Sequence, residues 1–197
     1  MIDIAKILFT VILLNNIVLS QFLGVCSFLG LTTDLKNSMG MSFAVIFVMV
    51  VSSAITQPIF QYLLVPNNLE YLQTVVFILV IASAVQILEA IIKKVFPPLY
   101  KGMGIYLPLI TTNCAILGIM LVNIQESYTF FESLVNGFGA GVSYMLAMFL
   151  FVGVRKKMAQ ANIPAFFEGV PAALVAAAIV SVSFNGFKGV LENIFGR

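Results

Sequence analysis

The chain carries two cysteines, and each opens the same short pattern: Cys26-Ser27-Phe28-Leu29-Gly30-Leu31 and Cys114-Ala115-Ile116-Leu117-Gly118-Ile119. Both patterns lie inside long apolar stretches, about half the chain apart. A pair of thiolates is a ligand set for a soft metal. A tetrahedral iron or zinc site, or an iron–sulfur centre, takes about four thiolates, so a second chain has to supply the rest. No histidine is present, which removes histidine-ligated haem, histidine-bound zinc and histidine general-base chemistry. The plainer reading of each cysteine is a small buried hydrophobe; a disulfide inside a membrane has no evident role. A redox centre is the stronger metal reading. Placed at mid-depth, it divides an apolar core of about 30 Å into two steps of about 15 Å.

The elements that hold these cysteines are membrane helices. Hydrophobic residues make up 61% of the chain and charged residues 9%, with a mean hydropathy of +1.09. A soluble domain carries about 25% charged residues, so this composition cannot cover a water-facing surface. We expect an all-α integral membrane protein forming a single domain over 1–197. Six apolar segments, roughly 4–32, 40–65, 71–95, 103–124, 131–154 and 170–190, are each long enough to span, which takes about 20 residues. Turn formers and charges separate them, among them Pro66-Asn67-Asn68, Pro97-Pro98 and Arg155 to Pro164. Asp3 ahead of the first segment and the lack of a small-residue cleavage site argue that this segment stays as a helix. The formal charge of +2 gives no argument for nucleic acid, and no P-loop, G-x-G-x-x-G or C-x-x-C pattern appears.

The cysteine-bearing segments 1 and 4 are abnormal. Segment 1 holds Asn15, Asn16, Ser20, Gln21 and Gly24; segment 4 holds Gly104, Pro108, Thr111, Thr112 and Asn113 just ahead of its cysteine. Polar groups at membrane depth are costly unless protein or water satisfies them. Interrupted segments in matching positions of two halves point to broken or half-helices around a central site. Ordinary interhelical glue from Asn, Thr and small residues is the alternative. Three spans per half, about 1–98 and 99–197, make the halves inverted repeats whose pseudo-two-fold axis brings both sulfurs near mid-depth. Half-helix N-termini aimed there favour negative charge, and Gly24, Gly30 and Gly118 allow close backbone approach.

Lys36, Lys93, Lys94, Lys101, Arg155, Lys156 and Lys157 fall on the loops after spans 1, 3 and 5, against Lys6, Lys188 and Arg197 opposite. The positive-inside rule makes the former side cytoplasmic and both termini external. Arg155-Lys156-Lys157 reads as a topology determinant, with a docking patch for cytoplasmic subunits as the alternative. Glu89, four residues before Lys93, is a helix-surface pair or a cation-handling carboxylate. Glu168 favours the start of the sixth helix. Glu70, Glu126, Glu132 and Glu192 read as solvated residues.

The run Leu14-Asn15-Asn16-Ile17-Val18-Leu19 with Gly24-Val25-Cys26, and the run Leu107-Pro108-Leu109-Ile110-Thr111-Thr112-Asn113-Cys114-Ala115-Ile116-Leu117-Gly118, carry a resemblance. They are similar to the family formed by the A-type subunit of the Rnf complex and the E-type subunit of the Na+-translocating NADH:quinone oxidoreductase. The match runs over essentially the whole chain. The resemblance implies a non-autonomous subunit of a translocase in the bacterial cytoplasmic membrane. Such a complex couples electron transfer between ferredoxin and NAD, both bound by other subunits, to movement of Na+ or H+. It further implies an intramembrane 2Fe-2S cluster with two ligands, here Cys26 and Cys114, from this chain and two from the paralogous E-type subunit of the Rnf complex. The flavin attachment motif of other Rnf subunits, Ser/Thr-Gly-Ala-Thr, is absent, so no flavin is expected here. A small secondary transporter with its substrate at the broken helices is the rival reading, and a structural scaffold subunit the third.

Overall fold

A computed structural model describes residues 8, 10–14, 16–32, 35–67, 70–95, 108–164 and 167–195. The described residues form helices joined by turns and irregular stretches, and among them there are no strands. A π-helical turn, Thr10–Leu14, leads into an irregular stretch, then α1 (Val25–Leu31), α2 (Leu35–Ile59), α3 (Gln73–Val95), the single turn α4 (Pro108–Thr111), α5 (Cys114–Gln125), α6 (Phe130–Met158) and α7 (Val170–Phe195).

Three stretches among the described residues are long and apolar enough to cross a bilayer: Ser38–Leu64, Gln73–Ile91 and Phe130–Met158. They coincide with the second, third and fifth segments expected from the sequence. The fourth and sixth contain shorter apolar helices, Cys114–Gln125 and Val170–Gly186. Asn15, Gly104 and the breaks at Pro97-Pro98 and Lys101 lie outside the described residues.

The centre of the bundle is the α2–α6 pair, the most extensive helix contact among the described residues. Lipid gives apolar helices little reason to associate, so close packing has to do it. Gly137 and Gly141, one turn apart on α6, permit it. A Cβ on Gly141 would lie 2.8 Å from Ile46 Cγ1 and 2.9 Å from its Cα; one on Gly137 would lie 2.5 Å from Ser53 Oγ. Met41, Val45, Val48 and Met49 of α2 and Ala140, Tyr144, Ala147, Met148 and Phe151 of α6 are buried along this seam. α2 widens into a π-helical stretch, Phe60–Leu64, directly after Pro58. The proline has no N–H to donate and its ring crowds the turn before it, yet that turn stays α-helical and the widening comes after it.

The ends of α6 are well defined. The Glu132 carboxylate accepts from Thr129 N–H at 2.9 Å and from its hydroxyl at 2.8 Å, closing the first turn. Arg155, Lys156 and Lys157 occupy the last turn, where cations offset the partial negative charge of free carbonyls.

Candidate functional site: two broken segments and their cysteines

The segments that carry the cysteines are both interrupted. In the first, residues 16–24 form turns between the π-helical turn and α1. Such backbone survives away from water only if protein groups bond it, and here they do. Asn16, buried, accepts from Val18 N at 3.1 Å and Leu19 N at 3.2 Å while its Nδ2 donates to Ser143 O at 3.1 Å. The buried hydroxyl of Ser181, on α7, donates to Leu19 O. The chain then turns through Phe22 (φ 54°) and Gly24 (φ 79°). The left-handed region costs a residue with a side chain about 1–2 kcal/mol, so glycine suits the second position and Phe22 carries strain.

In the second, Thr112 and Asn113 separate α4 from α5. Asn113 is the N-cap: its backbone is extended and its Oδ1 accepts from Ala115 N at 3.0 Å. Asparagine is among the best N-caps because its carbonyl satisfies a free N–H of the first turn.

Cys26 is thus the second residue of α1 and Cys114 the first of α5. The two segments meet at Gly24. A Cβ there would lie 2.9 Å from Asn113 Oδ1, 3.1 Å from Ala115 Cβ and 3.4 Å from Tyr144 Cε2. Gly118, one turn past Cys114, packs on Leu23: a Cβ there would lie 2.5 Å from Leu23 Cδ1. The residues flanking one cysteine therefore touch the residues flanking the other. Both thiols are free and exposed at the surface of the chain.

Three side chains with no sequence signal for this role hold the junction. Tyr144, fully buried, places its hydroxyl 2.8 Å from Ser27 Oγ, which donates to Gly24 O at 3.0 Å. The serine proton is committed to that carbonyl, so the tyrosine donates to the serine. Phe28 packs on Phe151 with ring centroids 4.4 Å apart. Arg155 Nη1 donates to Leu29 O at 2.5 Å and Thr32 Oγ1 at 3.0 Å. This cation sits at the C-terminal end of α1, where free carbonyls attract it. Arg155, expected as a topology charge, also pins the cysteine half-helix.

The other candidates lie elsewhere. Glu89 is on α3, partly exposed, four residues before Lys93. Glu168 is exposed in the turn before α7 and lines a cavity of about 550 Å3 with Arg155, Lys156, Asn162 and Gly169. In the loop ahead of α6, partial burial and the charges of Glu126 and Glu132 push the Tyr128 phenol above its ordinary value. Among the described residues, no three Cys, Asp or Glu side chains gather as a metal-binding set.

Long apolar helices around two interrupted segments define an integral membrane protein whose two cysteines stand at helix breaks. The chain belongs to the Rnf-Nqr family of membrane subunits, whose family model, described as "Rnf-Nqr subunit, membrane protein", matches residues 4–191. It is 48% identical over 93% of its length to the A-type subunit of the Na(+)-translocating ferredoxin:NAD(+) oxidoreductase complex of Acetobacterium woodii, covering 95% of that protein. It is 46% identical to the A-type subunit of the ion-translocating oxidoreductase complex of Syntrophotalea carbinolica, over 96% of this chain and 98% of the relative. The corresponding subunit of Colwellia psychrerythraea is 45% identical over 98% of this chain and 100% of the relative.

Proposed function

We propose that this chain is the A-type subunit of a membrane complex that couples ferredoxin:NAD electron transfer to Na+ or H+ translocation, and that Cys26 and Cys114 provide two of the four thiolates of an intramembrane 2Fe-2S cluster. The paralogous E-type subunit provides the other two. The observation that carries the reading is the contact of Gly24 with Asn113 and Ala115, which places the two cysteine segments side by side with both thiols exposed. The donor set fits such a group: thiolates are its natural ligands, and two exposed thiols on neighbouring segments leave room for two more from a partner. When bound, the cluster supplies one-electron chemistry at membrane depth.

The chain's own residues then have definable tasks. Cys26 and Cys114 bind. Gly24 permits the close approach, Asn113 caps α5, and the Tyr144–Ser27–Gly24 hydrogen bonds hold the α1 entry in register. Arg155 anchors the far end of α1. Six spans as two inverted three-helix repeats, with basic loops cytoplasmic and both termini external, accommodate these breaks. Ion coupling requires each redox state of the complex to favour a different conformation of the half-helices; Glu89 is a lesser candidate on the cation route.

The test is Cys26→Ala in the assembled complex. Loss of about two iron atoms with acid-labile sulfide per pair of paralogous subunits, and of ferredoxin-driven NAD reduction, is expected. Full iron content and activity would overturn the ligand assignment and favour a transporter or scaffold role.

A further inference from the structure

The seam between α2, α5 and α6 contains buried oxygens that the cysteine site does not use. Ser133 and Asn136 lie three residues apart on α6, on one face, and are 0% and 1% exposed. Ser133 Oγ and Asn136 Oδ1 have no hydrogen-bond partner. Asn136 Nδ2 donates to Oδ1 of the buried Asn123 on α5. One turn back on α5, the Met120 thioether accepts from the Ser53 hydroxyl of α2 at 3.7 Å and lies 3.2 Å from that of Thr56, whose proton goes to Ser52 O at 2.7 Å; Gly137 lies against Ser53. Ser52, one turn from Thr56, is a second buried hydroxyl without a partner.

These orphan oxygens are unusual within the protein itself. Helical hydroxyls normally satisfy themselves on the carbonyl four residues back, as Ser42, Thr56, Ser83 and Ser183 do here. Ser133 and Ser52 do not, nor does Ser143 further along α6, and a buried unpaired polar group is costly; only Ser133 lies on one face with a second unpaired oxygen, that of Asn136. The available donors are neutral oxygens. The nearest carboxylate in sequence, Glu132, is committed to Thr129. Hard cations take oxygen ligands, and divalent ones lean on carboxylates that this set lacks. A neutral oxygen cage at membrane depth suits a monovalent ion.

We propose that Ser133, Asn136 and Asn123, with Thr56 across the seam, form a dehydrated binding site for a monovalent cation of sodium size. The site is about 12–17 Å along α6 from Tyr144, at a rise of about 1.5 Å per residue, and so on the same helix as the support of Cys26. As a station for a translocated ion it rests on the ion-translocating reading above, whereas the binding itself does not.

The test uses the purified assembled complex. Its thermal unfolding is followed against NaCl, with choline chloride as the control, for wild type, Ser133→Ala and Asn136→Ala, and iron is measured in the same samples. Na+ should stabilise the wild type. The half-saturating Na+ concentration should rise about tenfold for each lost ligand, about 1.4 kcal/mol, with iron unchanged. If Asn136→Ala fails to assemble, Ser133→Ala, which removes a single oxygen, decides. An unchanged Na+ midpoint in Ser133→Ala, or no stabilisation of wild type by Na+ over choline, would overturn the site and assign these oxygens to bound water. Absence of iron from wild type would overturn the cluster reading and leave the cation site standing.

Discussion

The two cysteine segments begin with related sequence and are held in different ways. The Cys26 segment is short and externally supported. Its half-helix α1 has seven residues, too few to be stable alone. Its N-cap Gly24 supplies no side-chain bond, and its stability comes from Tyr144, Phe151 and Arg155 of α6 and Ser181 of α7. The Cys114 segment is longer and carries its own asparagine cap, with twelve residues in α5, five of them buried against the bundle. The glycines differ too. Gly118 is covered by Leu23, while a Cβ on Gly30 would meet nothing within 4 Å. Matching motifs thus yield one half-helix that depends on its neighbours and one that carries its own cap.

Chemistry should treat the two cysteines alike even though their supports differ. Cys114→Ala is expected to lower cluster iron and NAD reduction to the same background as Cys26→Ala, measured on purified complexes; unequal loss would break the pairing. Gly24→Val should come next. It places a β-branched residue at φ 79° with its Cβ 2.9 Å from Asn113 Oδ1, costing at least about 2 kcal/mol and disturbing both segments at once. Reduced complex stability in thermal unfolding checks it.

Single-sided effects follow. Arg155→Ala should cost about 1 kcal/mol, less than the usual charged hydrogen bond because the site is partly exposed. It should speed thiol labelling of Cys26 and leave Cys114 unchanged. Asn113→Ala should cost about 1 kcal/mol through loss of the cap, with faster amide exchange at Ala115 and little change in α1. Gly30→Ala should be the mildest, stabilising α1 by about 0.5–1 kcal/mol because alanine replaces glycine inside a helix with open space around it, seen as slower amide exchange in α1.

Much of this is legible from residue types. The polar interruptions around Asn16 and Thr112-Asn113 mark the two breaks, since such groups do not sit unsatisfied in lipid. The apolar runs matching α2, α3 and α6 locate the long helices to within a few residues. Sequence points to Gly24 and Gly30 as places where backbone can approach a cluster; within this chain Gly24 lies against Asn113 and Ala115, and a Cβ on Gly30 would meet nothing within 4 Å. Tyr144, Ser27 and Ser181 carry no signal because their roles depend on partners 117 and 162 residues away in sequence. Arg155 reads as a topology charge because its partners, Leu29 and Thr32, are as distant.

Composition and pattern therefore determined the solvent, the helical class, the break points and the identity of the candidate ligands. These follow from local physics: apolar length against a bilayer, polar cost at depth, and the small set of side chains that hold a soft metal. Tertiary structure decided that Gly24 meets Asn113, that α6 supports α1, and that unpaired oxygens collect between α2, α5 and α6. Contacts between distant segments arise from helix packing, in which one chain position finds its partner only when the whole bundle has closed.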